Sequence, residues 1–245
     1  MGNTKPNRFE RTGPPYNPGL KQFINAKRNW HYQPDAHTTK QGFLGWHERG
    51  YLPHFDAPNV TQFVTFSLRD AFPVTRRREW EALLKEGDET LCKRKLEAWL
   101  DRGHGECWLR HPEIAERVEQ VLRAGDGHIY RLHAWTLMPN HVHLAVEVWQ
   151  APLSHLLQQW KGRSAREANK ELKRQGPFWE REYFDTLIRD EAHLRQAIRY
   201  TENNPVKAGF VREPGHWLWS SARYRDDFLR LPARPIMAPS GNSAG

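Results

Sequence analysis

The sequence predicts an α+β fold, an antiparallel sheet with helices on one face. Three observations carry this. Strand-like and helix-like stretches follow the order strand, helices, strand, strand, helix, strand, helix. The two middle strands are joined by Met138-Pro139-Asn140, a turn signal that makes them an antiparallel hairpin. The stretch after them carries Leu153, Leu156, Leu157 and Trp160 at the spacing of an amphipathic helix.

Taken in order, residues 1–57 are rich in Pro, Gly, Asn and isolated charges without sustained periodicity, so an irregular amino-terminal arm is expected. Within it Gly50-Tyr51-Leu52-Pro53-His54-Phe55-Asp56 is more apolar than its surroundings, and packing on the core is the favoured role. The main domain is expected over 58–229. Val60 to Leu68 is β-branched and aromatic, bounded by Pro58-Asn59, and reads as the first strand. Helices are predicted at about 76–85, 89–101 and 112–123, the last with Pro112 at an N1-like position. Strands follow over 128–137 and 141–148, then the long helix over about 152–174, ended by Gly176-Pro177. A fourth strand centres on 183–188. Asp190 is the expected N-cap of a helix that Pro205 should stop. The small-residue tail, 230–245, is expected to be disordered.

Composition narrows the function classes. The 245 residues are 38% hydrophobic and 27% charged, with no run of about 18 apolar residues and no apolar h-region near the amino terminus. A membrane span and an export signal are unexpected, and a cytoplasmic, nucleoid-associated protein is expected. Two cysteines, Cys92 and Cys107, fit no disulfide framework or paired-thiolate zinc site. Lys and Arg exceed Asp and Glu by 37 to 29, a charge of +8, which favours a polyanionic partner, nucleic acid first.

The chemistry concentrates in two places. In His141-Val142-His143, strand alternation projects both imidazoles from one face, about 7 Å apart, a pairing that suits a divalent metal. Two half-exposed histidines at a hairpin mouth are the alternative. In the last long helix, Tyr200 and Asn204 lie one turn apart on one face. Asn204 could complete a His/His/Asn site for magnesium or manganese beside the Tyr200 phenol. On spacing alone, the favoured reading is Tyr200 as a core-edge residue and Asn204 as a helix C-cap before proline.

The run His133 to Leu144 (HAWTLMPNHVHL), with Tyr183-Phe184-Asp185 and Arg199 to Gly209 (RYTENNPVKAG), resembles the REP-associated tyrosine transposases of the HUH single-tyrosine nuclease superfamily. Gly50 to Asp56, Trp217 and Trp219-Ser220-Ser221-Ala222 extend the likeness over about residues 50–224. The resemblance implies a ferredoxin-like catalytic domain, a divalent cofactor (Mg2+ or Mn2+), and cleavage of single-stranded DNA at or near palindromic hairpins; the three predicted helices after strand one are an insertion that departs from the family pattern. By position, His141 and His143 match the metal-binding pair, Tyr200 the nucleophile and Asn204 the amide ligand. DNA contacts are expected from Arg189, Arg195, Arg199 and Lys207 near Tyr200, and from Lys161, Arg163 and Arg166 on the long helix. Tyr183 and Tyr130 are assigned to structure. His133 is expected on the face opposite the pair. A catalytically silent hairpin-binding protein of the same fold and a water-using metal hydrolase are the competing readings. Whether the chain acts as monomer or homodimer is left open.

Overall fold

The computed structural model describes residues 33–48, 53–71 and 89–225. The expected helix at 76–85 and the tail at 230–245 lie outside them. Eleven elements run α1 (Ala36–Lys40), β1 (Gly45–Glu48), β2 (Pro53–Asp56), β3 (Val60–Ser67), α2 (Glu89–Leu100), α3 (Pro112–Arg123), β4 (Tyr130–Leu137), β5 (His141–Val148), α4 (Leu153–Glu171), β6 (Phe184–Leu187) and α5 (Glu191–Lys207). Strands β4-β5-β3-β6 form one antiparallel sheet in that order. With α3 between β3 and β4, and α4 between β5 and β6, this is the expected ferredoxin-like arrangement. Because β3 and β5 alternate, Val64, Phe66, Val142, Leu144 and Val146 turn to one face, where they bury with Ile114, Val118 and Leu122 of α3 and Leu153, Leu156, Leu157 and Trp160 of α4. None of the described helices is long and apolar enough to cross a membrane.

The opposite face is covered by α5. Its Ala197 and Ile198 pack with Phe63, Ala134, Ala145 and Ile188 in a second, smaller cluster. One-face helices thus hold for α3 and α4, and α5 is an addition that closes the other side. Asp190 caps α5 as predicted, its carboxylate accepting the His193 N–H at 2.8 Å. Pro205 does not stop the helix, which runs on to Lys207. The ring removes one N–H within the last turns, and the chain ends beyond it in a Schellman closure. There Phe210 N–H donates to Pro205 O, Gly209 N–H donates to Val206 O, and Gly209 takes the left-handed φ of 76° that glycine tolerates.

Before the sheet, where the sequence has no lasting period, Asp35 caps α1 and β1 pairs with β2 as a two-stranded ribbon. Phe43, Phe55 and Ala57 join the main core, which tertiary packing imposes without a local signal. Of the apolar segment 50–56, residues 50–52 lie outside the described range. The fourth strand is reduced to four residues, and Trp179 makes only an isolated bridge to Leu68.

Candidate active site

His141 and His143 are not half-exposed. Each retains 1% of its surface, since α5 lies over their face of the sheet. Their Nε2 atoms stand 3.0 Å apart, the rings nearly perpendicular at 80°. The imidazole heads therefore converge well inside the spacing of their backbone positions. Asn140 explains one orientation. Its Nδ2 donates to the carbonyls of Leu100 and His104, so its Oδ1 faces His141 Nδ1 at 2.8 Å and accepts its proton. That network assigns the bare lone pair of His141 to Nε2. His143 Nδ1 meets the Thr65 hydroxyl at 2.8 Å, which turns its Nε2 to the same point. Burial, and then the charge of Lys207, lowers His141 to about 3, so it is neutral near pH 7. Two nitrogens each ~2.1 Å from one ion and at right angles to each other would lie ~3.0 Å apart. The pair has that separation.

Among the described residues no group of three or more His, Cys, Asp or Glu is arranged to hold a metal, and a side chain of another type lies on the same face. Asn204 qualifies chemically. It is 1% exposed on the covered side of α5, and neither its oxygen nor its nitrogen has a hydrogen-bond partner among the described residues. A buried amide with both ends unsatisfied costs free energy unless something binds it.

Tyr200 sits one turn before Asn204. Its ring meets Phe63 edge-on at 5.5 Å and His143 at 5.6 Å, and the ammonium of Lys207 lies 5.8 Å from the ring centre. Its hydroxyl is buried without a completed hydrogen bond, although the Glu97 carboxylate and the Asn204 amide are close enough to act on it. Burial, then Glu97, then Asp101 push the phenol well above its ordinary range, while Asn204 pulls the other way. Glu97 belongs to the end of α2 and Asp101 directly follows that helix, and Asp101 Oδ2 is 3.1 Å from Lys207 Nζ. Glu97, Asp101, Thr65 and Asn140 carry no sequence signal as site residues. The carboxylates arrive through long-range packing, and Asn140 reads locally as a turn former.

The basic residues divide between the two faces. Arg189, Arg195, Arg199 and Lys207 are exposed on or beside α5; Arg195 pairs with Glu191 at 3.0 Å and Lys207 with Asp101. Arg163 and Arg166 are exposed on α4, where with Arg117 of α3 they line a shallow pocket, so the sheet separates them from Tyr200. Lys161 is withdrawn from that expected phosphate track. Its Nζ donates to the carbonyls of Glu180, Arg181 and Glu182 at 3.0, 3.1 and 3.2 Å, a local anchor for the loop before β6.

His133 corrects a second expectation. The hairpin register is as predicted near the turn, Thr136 opposite His143, but a bulge between Leu132 and Ala134 turns His133 to the histidine face. There its Nε2 pairs with Glu147 at 3.3 Å, further along β5 from the pair. Tyr183 is buried and stacks on His54 at 4.2 Å, and Tyr130 Oη donates to Leu122 O. Buried Glu202, which sequence reasoning passed over, accepts from Ser221 Oγ and Arg225 Nε, each at 2.5 Å, while Ser220 Oγ accepts from Thr136 at 2.9 Å. The Trp219-Ser220-Ser221-Ala222 run thus pins the carboxyl-terminal segment to β4 and α5.

Comparison with known proteins bears on the same stretch. The family described as "Transposase IS200 like" matches residues 108–204, which include the histidine pair, Tyr200 and Asn204. A candidate REP-associated tyrosine transposase of Haemophilus influenzae is 27% identical over 96 residues, covering 35% of this chain and 54% of that protein. The chain thus spans about half the length of that curated relative. Among solved structures, a REP-associated tyrosine transposase bound to a REP hairpin aligns over 75% of this chain and 88% of its own, with 15% identity and a TM-score of 0.47. A candidate transposase of Deinococcus radiodurans aligns over 64% and 96%, with 16% identity and a TM-score of 0.30.

Proposed function

We propose that this IS200-like transposase chain is a metal-dependent single-strand DNA transesterase that cleaves at or near REP-type palindromic hairpins through a 5′-phosphotyrosine on Tyr200. The observation that carries the reading is convergence within one chain: a tyrosine ring in contact with His143, whose Nε2 shares one point with that of His141, all inside the transposase-family segment. That Tyr200 and the pair meet in one chain supports a site complete within a monomer. The relative's REP-associated name and the surplus of basic charge favour hairpin DNA as partner. The place of action is the cytoplasm, at the nucleoid.

The residues present fit a divalent cation, Mg2+ or Mn2+, with His141, His143 and Asn204 as ligands, because they offer two imidazole nitrogens turned to one point and an amide with no hydrogen-bond partner among the described residues. When bound, that cation withdraws charge from the scissile phosphate. Tyr200 Oη attacks the phosphorus in line, the bond to the 3′-oxygen breaks, and the 5′-phosphate remains on the tyrosine. Since the phosphotyrosine diester conserves the energy of the broken bond, a 3′-hydroxyl can attack it and reseal the strand. Arg189, Arg195, Arg199 and Lys207 hold flanking phosphates.

The test is a gel assay for covalent protein–DNA adduct with labelled hairpin oligonucleotides and Mn2+ or Mg2+. Wild type and Tyr183→Phe are expected to form the adduct and Tyr200→Phe to lose it entirely. Loss in Tyr183→Phe alone would move the nucleophile. Metal-dependent cleavage surviving in both variants would replace the reading with a water-using nuclease, and tight hairpin binding without cleavage would leave a binding protein.

A further inference from the structure

Beyond the end of α5 the chain carries an apolar surface that neither core explains. Phe210 is 41% exposed and Leu218 61% exposed, and the half-buried Trp217 stacks on Phe210 with ring centres 5.4 Å apart and planes 24° from parallel. Neither ring belongs to the two hydrophobic clusters that hold the sheet. The pair is nevertheless firmly held. Trp217 Nε1 donates to Leu137 O at 2.9 Å, its backbone N–H donates to Pro214 O, and Leu218 O accepts from Arg223 Nη1 at 2.7 Å. Phe210 is fixed by the bond from its N–H to Pro205 O at 2.9 Å. Both anchor points adjoin the candidate site: Leu137 is the register partner of Val142, between the two histidines, and Pro205 directly follows Asn204. Lys207 and Arg212, on either side of Phe210 in the chain, are exposed, and Arg212 has no ion pair among the described residues. Glu213, the single carboxylate of residues 208–219, lies 3.9 Å from His216.

We propose that Phe210 and Trp217 form a stacking platform for an unpaired base of the DNA strand that enters the site. The inference rests on the reading of hairpin DNA as substrate, and it names the part that this surface takes, the single-stranded flank. An exposed aromatic face gains by stacking on a base, and every base offers such a face, so the contact reads no sequence. It does read pairing, because a base inside a duplex is already stacked on both sides by its neighbours. Lys207 and Arg212 supply positive charge for the phosphates next to the stacked base. Since the loop is already fixed by its anchors, little ordering is lost when the base arrives. The same charge disfavours a second copy of this chain as the occupant, for matching patches would bring like charges together.

The experiment measures equilibrium binding of the full chain to a labelled hairpin oligonucleotide with unpaired thymidine flanks, by fluorescence anisotropy with EDTA present so that the strand stays whole. A second probe has the same stem with abasic flanks. Phe210→Ala is expected to weaken binding to the thymidine-flanked probe about tenfold or more and to leave the abasic-flanked probe within about twofold of wild type. Wild type should lose the same factor between the two probes, since ring and base act as one pair. Phe210→Trp should keep the affinity, whereas Phe210→Leu, apolar but without a π face, should lose it. An unchanged urea midpoint for Phe210→Ala separates a lost contact from a lost fold. Equal losses on both probes, or binding of the thymidine-flanked probe by Phe210→Ala within about threefold of wild type, overturn the proposal while leaving adduct formation on Tyr200 intact. A wild-type dimer in sedimentation that Phe210→Ala splits into monomers would assign the patch to a second copy and overturn it too. If wild type binds neither probe, with EDTA or with Mn2+, hairpin DNA is not the substrate and both readings fall.

Discussion

The two faces of the four-stranded sheet are both covered, but by opposite means. Against α3 and α4 the strands present Val64, Phe66, Val142, Leu144 and Val146, and the burial there is apolar and non-directional. Against α5 they present His141, His143, Glu147, Thr65 and Thr136, with only Phe63, Ala134 and Ala145 as apolar filling. Buried polar groups need partners, and most on this face have them: His143 with Thr65, His141 with Asn140, His133 with Glu147, Glu202 with Ser221 and Arg225. Among the described residues, the atoms of this side without a hydrogen-bond partner include Tyr200 Oη and both amide atoms of Asn204, one turn apart on α5, and Glu202 Oε2 beside Arg225. One face stabilises, and on the other a satisfied polar frame surrounds a small unsatisfied centre, which is the expected signature of a reactive site.

If that frame is structural, breaking it should cost more than a core cavity. Arg225 is fully covered beside Glu202, so Arg225→Met would leave a buried carboxylate unpaired, at a cost of about 3–5 kcal/mol. The double variant Glu202→Leu with Arg225→Met should recover most of that loss. Urea denaturation of the two variants checks this, and equal stability of single and double variants would mean that the frame contributes nothing as a pair.

A sharper contrast comes from neighbours on β5 that point to opposite faces. Leu144→Ala empties part of the apolar core and should lower stability by about 2–5 kcal/mol, while the folded fraction still forms adduct. His143→Ala should cost less stability and lower adduct formation on the order of 100-fold or more, since losing even an indirect partner of a metal ligand costs 10–100-fold. Urea denaturation and adduct assays on both variants decide it. Equal effects on both readouts would erase the division between the faces.

How far the sequence discloses this division depends on the range of the forces involved. Alternation in HVHLAVEV is local, so the hairpin, its register at Thr136–His143 and the common face of the two histidines are legible from residues alone. The same alternation reads as a half-exposed face, because nothing near residue 141 announces that α5 will cover it. His133 is misplaced by a bulge that no nearby residue type marks, and Pro205 is tolerated because the Schellman closure downstream supplies a proper helix end. The grip of Asp101 on Lys207 is a contact across 106 residues of chain, beyond any periodic signal.

The smallest predicted effect concerns Lys161, a cation held against the apolar side. Lys161 Nζ lies 5.5 Å from the Phe66 ring and 5.6 Å from the Tyr183 ring while donating to three carbonyls, and burial lowers its pKa to about 8, with Glu182 and Glu180 pulling it up. An amine whose folded pKa is depressed below the ordinary 10.5 holds fewer protons when folded than when unfolded between those two values. Stability therefore rises with pH across that window, as the cost of burying the charge disappears, and below it the full cost persists. Lys161→Met removes the titrating group, so wild type should gain on the order of 1–2 kcal/mol relative to the variant between roughly pH 8 and pH 10. Urea denaturation of both proteins at several pH values in that interval isolates the difference from every other lysine and tyrosine. Parallel stability curves would mean that the three carbonyls and two carboxylates fully offset the burial of the Lys161 charge.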